Sequence, residues 1–313
     1  MATDNLAFVF PGQGSQQIGM LAPLAAQYPL VQQTFAEASE VLGYDLWDRV
    51  QNGAQEDINL TECTQPLLLS ASVAMWRVWC ERGGAQPAFL AGHSLGEWSA
   101  LVCAGVISLA DGVSLVRQRG KLMQEAVPAG QGAMAAIIGL DDDAVVAACA
   151  AAAQGEVVSA VNFNSPGQVV IAGHSGAVER AMAACKEAGA KRALALPVSA
   201  PFHTQLMRPA ADGLAVWVDQ VEFHAPRIPV VHNVHARSES DPSKIKALMI
   251  EQIYSPVLWV DCVNALAAAG VENLLECGPG KVLAGLTKRI DKSLSASSME
   301  QPADFDAALA QHQ

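Results

Sequence analysis

The sequence predicts an α/β protein in which a smaller ferredoxin-like unit is inserted into a larger body with a parallel sheet. Short β-type runs alternate with longer segments of 3.6-residue periodicity along most of the chain. A central stretch has the order βαββαβ instead, which is the ferredoxin-like pattern. The chain has 313 residues, 51% of them hydrophobic and 16% charged, which is enough apolar material for a large core.

The larger body is expected over residues 1–129 and 199–313. Its strand candidates are short apolar runs that end at turns: LAFVF (6–10), PAFLAG (87–92), RIPVVHNV (227–234) and VENLLECG (271–278). A Gly-Pro-Gly turn and a helical segment follow the last of these runs. The polar tail from Ser293 onward is expected to be peripheral.

The inserted unit is expected over residues 130–198. A helix with three acidic residues at its start, where the helix dipole favours negative charge, follows its first strand. Two strands joined by a short turn come next, and a second helix leads to the last strand. In order, the segments are GAMAAIIGL, DDDAVVAACAAAA, VVSAVNF, GQVVIAG, SGAVERAMAACKEAG and KRALALPV.

Composition argues against several classes of function. The formal net charge of −12 opposes binding to nucleic acid or to anionic membranes. No apolar run reaches membrane-spanning length, and seven cysteines without Cys-x-x-Cys spacing favour reduced thiols, so we expect a cytoplasmic protein. His232 and His235 form a His-x-x-His with no third ligand nearby, and no metal site is predicted.

The triplet Gly-His-Ser occurs twice, each time after an apolar run and before a helical segment. A nucleophile elbow needs small residues on both sides of the serine, because the strand-to-helix turn is sharp. The pattern Gly92-x-Ser94-x-Gly96 is complete, whereas Ala177 replaces the second glycine around Ser175. We therefore predict that Ser94 is the nucleophile and that Ser175 caps a helix. The amide of Leu95, at the start of the helix after Ser94, is a candidate oxyanion donor.

A serine nucleophile needs a base, which is usually a histidine. His93 adjoins Ser94 and cannot easily reach back around the turn, so a scaffold role is expected for it. His203 lies in a Pro-flanked loop where the chain leaves the inserted unit, a position well suited to face a cleft. Position alone leaves open whether His203 is the base or a structural histidine.

Arg119 falls in an apolar helical column between Leu115 and Leu122. An arginine in such a column either extends its charged end to water or binds an anion. That anion is either a substrate carboxylate or a distant Asp or Glu, and the sequence leaves both open. Near the N-terminus, FPGQGSQ ends the first strand with exposed backbone amides, and the Gln13 amide is a second candidate oxyanion donor. Its glycine spacing does not match a dinucleotide fingerprint.

Five motifs resemble, in order and spacing, the malonyl-CoA:acyl carrier protein transacylases of bacterial fatty-acid synthesis: FPGQGSQ, GHSLGEWSAL, RQRGKLMQ, APFHT and ECGPGKVLAGLTKR. The similarity covers about residues 6–290. It implies a hydrolase-like α/β body, malonyl-CoA and an acyl carrier protein as partners, no cofactor, and a monomer.

Carried over by position, the resemblance implies roles for individual residues. Ser94 would be the nucleophile and His203 the general acid and base, while Arg119 would bind the malonyl carboxylate. The Gln13 and Leu95 amides would bind the oxyanion, the backbone carbonyl of Gln252 would orient the histidine, and Asn162 and His93 would line the cleft.

Two other functions stay open at this stage. A serine esterase of the α/β-hydrolase type would also use Gly-x-Ser-x-Gly, with Asp219 and His235 as a possible acid–base pair. A scaffold or carrier-protein-binding subunit could retain the fold without the chemistry.

Overall fold

The computed structural model describes residues 2–198 and 200–313 of the chain. The first part of the body alternates its first two strands with helices, as the periodicity predicts. Its elements are β1 (Ala2–Phe10), α1 (Ala22–Gln27), α2 (Leu30–Leu42), α3 (Leu46–Asn52), α4 (Gln55–Ile58), α5 (Thr61–Glu81), β2 (Gln86–Gly92), α6 (Leu95–Cys103) and α7 (Leu109–Glu125).

The inserted unit follows α7 and has the predicted βαββαβ order. Its elements are β3 (Gly132–Ile138), α8 (Asp142–Ala152), β4 (Val158–Ser165), β5 (Gln168–His174), α9 (Ser175–Glu187) and β6 (Arg192–Ala195). In the described part of the chain these strands form a four-stranded sheet of order β4-β5-β3-β6, with every neighbouring pair antiparallel. Helices α8 and α9 cover one face of this sheet and share an apolar core with it. The boundaries 130 and 198 stay predictions.

The chain then returns to the body through a 3₁₀ turn (Gln205–Met207), and a second such turn (Gln252–Tyr254) follows later. The remaining elements are α10 (Arg208–Val218), β7 (Val230–His232), β8 (Arg237–Ser238), α11 (Pro242–Glu251), α12 (Trp259–Ala268), β9 (Asn273–Glu276), α13 (Val282–Ile290), β10 (Ser295–Ser298) and α14 (Pro302–Gln311).

The body sheet has six strands among the described residues, in the order β10-β9-β1-β2-β7-β8, and only the β7–β8 pair is antiparallel. Phe10 pairs with Gly92, and Val9 pairs with Glu276, so β1, β2 and β9 end at the same edge. Parallel strands bring their carboxyl ends together, and ligands bind there in open α/β sheets. The predicted fold class, a parallel sheet with an inserted antiparallel unit, is confirmed.

The inserted sheet is joined to the body at this same edge. The Phe163 amide donates to the Val257 carbonyl (3.0 Å), and the Val257 amide donates to the Val161 carbonyl (2.8 Å). A body segment thereby pairs with the outer edge of β4, opposite β5, and covers part of an edge that would otherwise leave backbone groups unpaired. None of the helices described is both long and apolar enough to cross a membrane.

The expectation of a peripheral tail is wrong. Strand β10 pairs with β9, and α14 buries Phe305 completely against Trp79. The Tyr28 hydroxyl also donates to the Asp306 carboxylate (2.7 Å). Polar composition concealed an apolar stripe in α14, where Phe305, Ala308 and Leu309 recur at helical spacing and face the core.

Candidate active site

Ser94 lies at the sharp turn between β2 and α6. Its backbone has φ 51° and ψ −104°, a region that serine seldom occupies. A Cβ on Gly92 would overlap the backbone of Gly96, and one on Gly96 would overlap the Phe10 carbonyl oxygen. Both glycines are therefore required by space, and the geometry is that of a nucleophile elbow.

His203 contacts the Ser94 hydroxyl. Its Nε2 lies 2.8 Å from Ser94 Oγ, and its Nδ1 lies 2.9 Å from the Gln252 backbone carbonyl. A carbonyl only accepts, so Nδ1 carries the proton and, in the neutral ring, Nε2 is free to accept from Ser94. Burial, aided by the nearby positive charge of Arg119, lowers the pKa of His203 to about 3. The ring is therefore neutral and positioned to take the serine proton.

Arg119 is only 1% exposed and points into the same site. Its Nη1 donates to Gln65 Oε1 (2.9 Å), and its Nη2 donates to Gln252 Oε1 (2.9 Å) and Ser94 Oγ (3.1 Å). Burial lowers the pKa of Arg119 to about 10, while the charge of Glu97 opposes that shift. Within the described residues the guanidinium contacts neutral oxygens but no carboxylate, and Nε has no partner. A buried cation with only neutral partners favours the binding of an anion.

The two candidate oxyanion donors lie on adjoining segments. A Cβ on Gly12 would be 2.6 Å from the His93 carbonyl oxygen, so the loop that carries Gln13 packs directly against the serine turn. Over the described ranges, neither the Gln13 amide nor the Leu95 amide donates to a protein acceptor. The loop is held from behind by Gln16, whose Oε1 accepts from the Gly14 amide (2.8 Å). Both amides are thus available to a ligand.

The two residues expected to line the cleft lie at the junction with the inserted unit. His93 Nε2 is 2.8 Å from Asn164 Oδ1, and its ring centroid is 5.6 Å from that of Trp259. Burial lowers the pKa of His93. Asn162 is buried where β4 bridges to Val257. In the residues described, neither side chain hydrogen-bonds the serine–histidine pair.

The second Gly-His-Ser has a different environment. His174, rather than Ser175, is the N-cap of α9, and it has ordinary extended angles (φ −62°, ψ 139°). The Ser175 hydroxyl donates to the Gly130 carbonyl (3.0 Å), so the predicted helix-capping role is wrong in detail. His174 Nδ1 accepts from the Val157 amide (3.0 Å). Both side chains therefore hold loops within the inserted unit.

In the described part of the chain, neither residue required by the esterase alternative hydrogen-bonds Ser94 or His203. Asp219 is exposed at the end of α10. His235 Nδ1 accepts from the Arg237 amide (3.1 Å). His232 Nδ1 bonds Glu97 Oε1 (2.7 Å). Among the described residues, no three His, Cys, Asp or Glu side chains are grouped so that they could hold a metal ion.

Several polar side chains beneath the turn were not predicted from the sequence to belong to the serine site: Gln65, Glu97, His232, Asn233 and the amide of Gln252. All are buried, with at most 2% of their surface exposed. A signal was present for one of them. Glu97 precedes the buried Ala100 and Leu101 by three and four residues, which places an acid on the apolar face of α6.

The turn and the serine–histidine pair define a class, the α/β proteins built around a nucleophile elbow. Residues 7–302 match the acyl transferase domain family, and the chain belongs to that family. It is similar to the malonyl CoA-acyl carrier protein transacylase of Salmonella typhimurium, with 62% identity over 307 residues that cover 98% of this chain and 99% of the relative. The resemblance in the motifs is confirmed.

Solved structures agree in fold over the whole chain. An acyl carrier protein S-malonyltransferase from Vibrio cholerae is 65% identical with a TM-score of 0.96, covering 97% of this chain and 99% of that one. A holo complex of a type II PKS acyl-carrier protein with its malonyl-transacylase is 58% identical with a TM-score of 0.97, covering 98% of this chain and 100% of that one.

Proposed function

We propose that this chain transfers a malonyl group from malonyl-CoA to the phosphopantetheine thiol of an acyl carrier protein, which supplies the extender unit for fatty-acid synthesis. One observation carries the proposal: a buried guanidinium, which has no carboxylate partner among the described residues, contacts the same serine oxygen as a neutral histidine. The serine is suited to accept an acyl group, and the arginine is suited to hold a second, anionic end of it. The similar proteins named above are malonyl transferases.

The first half-reaction forms a malonyl-enzyme. His203 Nε2 takes the Ser94 hydroxyl proton while Oγ attacks the thioester carbonyl carbon. The resulting oxyanion accepts hydrogen bonds from the Gln13 and Leu95 amides. The carbon–sulfur bond then breaks, coenzyme A leaves with the proton from His203, and a malonyl ester remains on Ser94.

The second half-reaction uses the same groups in reverse. His203 takes the proton of the phosphopantetheine thiol, and the sulfur attacks the ester carbonyl. The same amides stabilise the second oxyanion, and Ser94 Oγ leaves with the proton from His203. No metal or redox group takes part in these steps, so the function requires no cofactor.

Arg119 is proposed to select for malonyl. A charge-assisted hydrogen-bonded pair contributes about 1.5–3 kcal/mol, which corresponds to a preference of about 10–100-fold over an acyl group without a carboxylate. The Nη2 group already contacts the serine oxygen, so a carboxylate whose carbon is two bonds beyond the ester carbonyl carbon lies within reach of the guanidinium. Cytoplasmic location and a monomeric state stay predictions.

Intact-protein mass spectrometry after mixing with malonyl-CoA tests this function on the wild type, Ser94→Ala and Ser175→Ala. We expect a malonyl adduct on the wild type and on Ser175→Ala but none on Ser94→Ala, and discharge of the adduct by holo carrier protein. Accumulating free malonate without an adduct would indicate a hydrolase. Neither adduct nor turnover would indicate a non-catalytic subunit.

A further inference from the structure

The strained backbone of Ser94 is held on both sides by side-chain amides. Asn233 Oδ1 accepts from the Ser94 N–H (2.8 Å), and Gln252 Nε2 donates to the Ser94 carbonyl (2.9 Å). Both amide side chains are completely buried. A positive-φ serine persists only where its surroundings fix it, and these two amides provide that restraint.

The Glu97 carboxylate contacts both residues, Gln252 through its side-chain amide and Asn233 through its backbone. Its Oε2 accepts from Gln252 Nε2 (2.7 Å) and from the Asn233 backbone N–H (3.1 Å), and its Oε1 bonds His232 Nδ1 (2.7 Å). Glu97 itself is 0% exposed. Burying a carboxylate is costly unless several donors surround it. Glu97 has three such donors, and they hold its carboxylate in one position.

The carboxylate sets which way the Gln252 amide faces. An amide has a donor end and an acceptor end, and a 180° flip exchanges them. Glu97 offers only acceptor oxygens, which directs Gln252 Nε2 toward itself and toward the Ser94 carbonyl. The opposite end, Oε1, then faces Arg119 Nη2 (2.9 Å), which only donates. Without the carboxylate, the Ser94 carbonyl would be the one remaining acceptor among the described residues that opposes the flip on this side, and a flip would bring two donors together at Arg119.

We propose that Glu97 is a positioning residue for acyl transfer, which fixes the Ser94 turn and the orientation of the Gln252 amide without touching the substrate. This role rests on the proposed function, because the acylation of Ser94 is the step that it supports. The Glu97 carboxylate hydrogen-bonds His232, Asn233 and Gln252, and in the described residues it contacts neither the Ser94 hydroxyl nor His203. It therefore acts on the maximal rate of acylation rather than on substrate affinity.

Glu97→Gln tests this role with little change of volume, and Glu276→Gln is a matched control. Glu276 is also 0% exposed, but it accepts from the Ala284 amide at the start of α13 (2.8 Å) and not from the serine turn. We expect Glu97→Gln to slow the maximal rate of malonyl-enzyme formation about tenfold or more, with the half-saturating malonyl-CoA concentration within about threefold of the wild type. Glu276→Gln should lower the melting temperature without this loss of rate.

Gln252→Met removes the amide and keeps the backbone carbonyl that holds His203. Since Glu97 acts largely through this amide, the double variant should be at most about threefold slower than the slower single variant. Losses that multiply would overturn the proposal, as would a Glu97→Gln rate within about twofold of wild type. If Glu97→Gln does not fold, Gln252→Met alone tests the proposal. An unchanged acylation rate in Gln252→Met would show that the Gln252 amide does not transmit an effect of Glu97.

Labelling of Ser94 by a fluorophosphonate probe, measured on the same variants, tests the role of Glu97 independently of the proposed malonyl transfer. In that reaction Ser94 Oγ displaces fluoride from phosphorus, and the reaction needs no malonyl group. A wild type that is labelled but never malonylated would refute the proposed function. The labelling rates of Glu97→Gln and Glu276→Gln would still decide the role of Glu97, with the same tenfold criterion.

Discussion

The two Gly-His-Ser segments share three residues and a strand-to-helix setting, yet they have opposite backbone conformations. Ser94 has a φ of 51°, whereas Ser175 is the first residue of a regular helix that begins from an extended His174. The first glycine of each is packed against backbone, Gly92 against its own turn and Gly173 against the neighbouring Val157. A triplet therefore does not define a nucleophile.

The difference arises two residues after the serine. Gly96 has no room for a Cβ because α6 begins directly against the end of β1. Ala177, at the equivalent position, buries its methyl group in the core of the inserted unit. A helix that starts so close to the strand end forces the serine into the turn, whereas α9 has space to start normally.

The largest contrast is expected between the histidines that contact the two serine segments. His203→Ala removes the proposed base at Ser94 Oγ and should slow malonyl-enzyme formation about ten-thousandfold, the upper end of what a general acid or base contributes. His174→Ala removes only a tie to the Val157 amide and should leave the rate unchanged. Rapid-quench mass spectrometry measures the rate of malonyl-enzyme formation in both variants.

Retained acylation in His203→Ala would contradict the assignment of the base. It would also revive the esterase alternative, in which His235 and not His203 serves the serine. Circular dichroism of each variant checks that a lost rate does not reflect lost folding.

A smaller contrast is expected from exchanging the small residues that follow each serine. Gly96→Ala forces its new methyl group against the Phe10 carbonyl, which displaces the turn, and a displacement of about 1 Å costs about a hundredfold in rate. Ala177→Gly should lower stability by about 1 kcal/mol and leave acylation unchanged. Acylation rates together with urea unfolding would distinguish the two. A fully active Gly96→Ala would mean that the turn tolerates relaxation.

The arginines near the two segments also differ. Arg119 is buried and its partners in the described part of the chain are all neutral, whereas Arg180 on α9 is partly exposed and pairs with Glu156 (2.8 Å). Arg119→Ala should slow transfer from malonyl-CoA about 10–100-fold more than transfer from acetyl-CoA. Arg180→Ala should change neither rate, because an exposed ion pair contributes little. Equal losses with both substrates in Arg119→Ala would exclude a carboxylate-binding role.

Features that depend on residues close together in the chain were predictable from the sequence, and features that depend on distant residues were predictable only in part or not at all. The elbow at Ser94 depends on residues 92–96, so its glycines could be read locally. His203 and Arg119 were prominent by position, but their contacts with Ser94 join residues 109 and 25 positions apart, and alternatives stayed open. The Gln252 amide reaches Glu97 across 155 positions, and one sequence carries no sign of such a pair.

The fold shows the same limit. The βαββαβ order was predictable because apolar runs and helical periods alternate cleanly in the inserted unit. Strand β10, with the sequence Ser-Ala-Ser-Ser, has no apolar alternation, and it is a strand because its backbone pairs with β9. Pairing of this kind depends on tertiary context rather than on intrinsic propensity.

The smallest expected effect is the change of the acylation rate with pH. It depends on His203, which contacts Ser94 but is not part of the Gly-His-Ser segment. His203 must be neutral to accept a proton, and burial together with the charge of Arg119 lowers its pKa from 6.5 to about 3. Acylation by acetyl-CoA should therefore fall by no more than about twofold between pH 7.5 and pH 5, where a base with an ordinary pKa would lose about thirtyfold. Arg119→Ala removes one cause of the lowered His203 pKa, so the acylation rate should begin to fall at a higher pH than in the wild type. Burial should still keep the His203 pKa below 6.5. A wild-type rate that falls about thirtyfold by pH 5 would mean that the base titrates as an exposed histidine does, and that the buried Ser94–His203 geometry is not the reacting one.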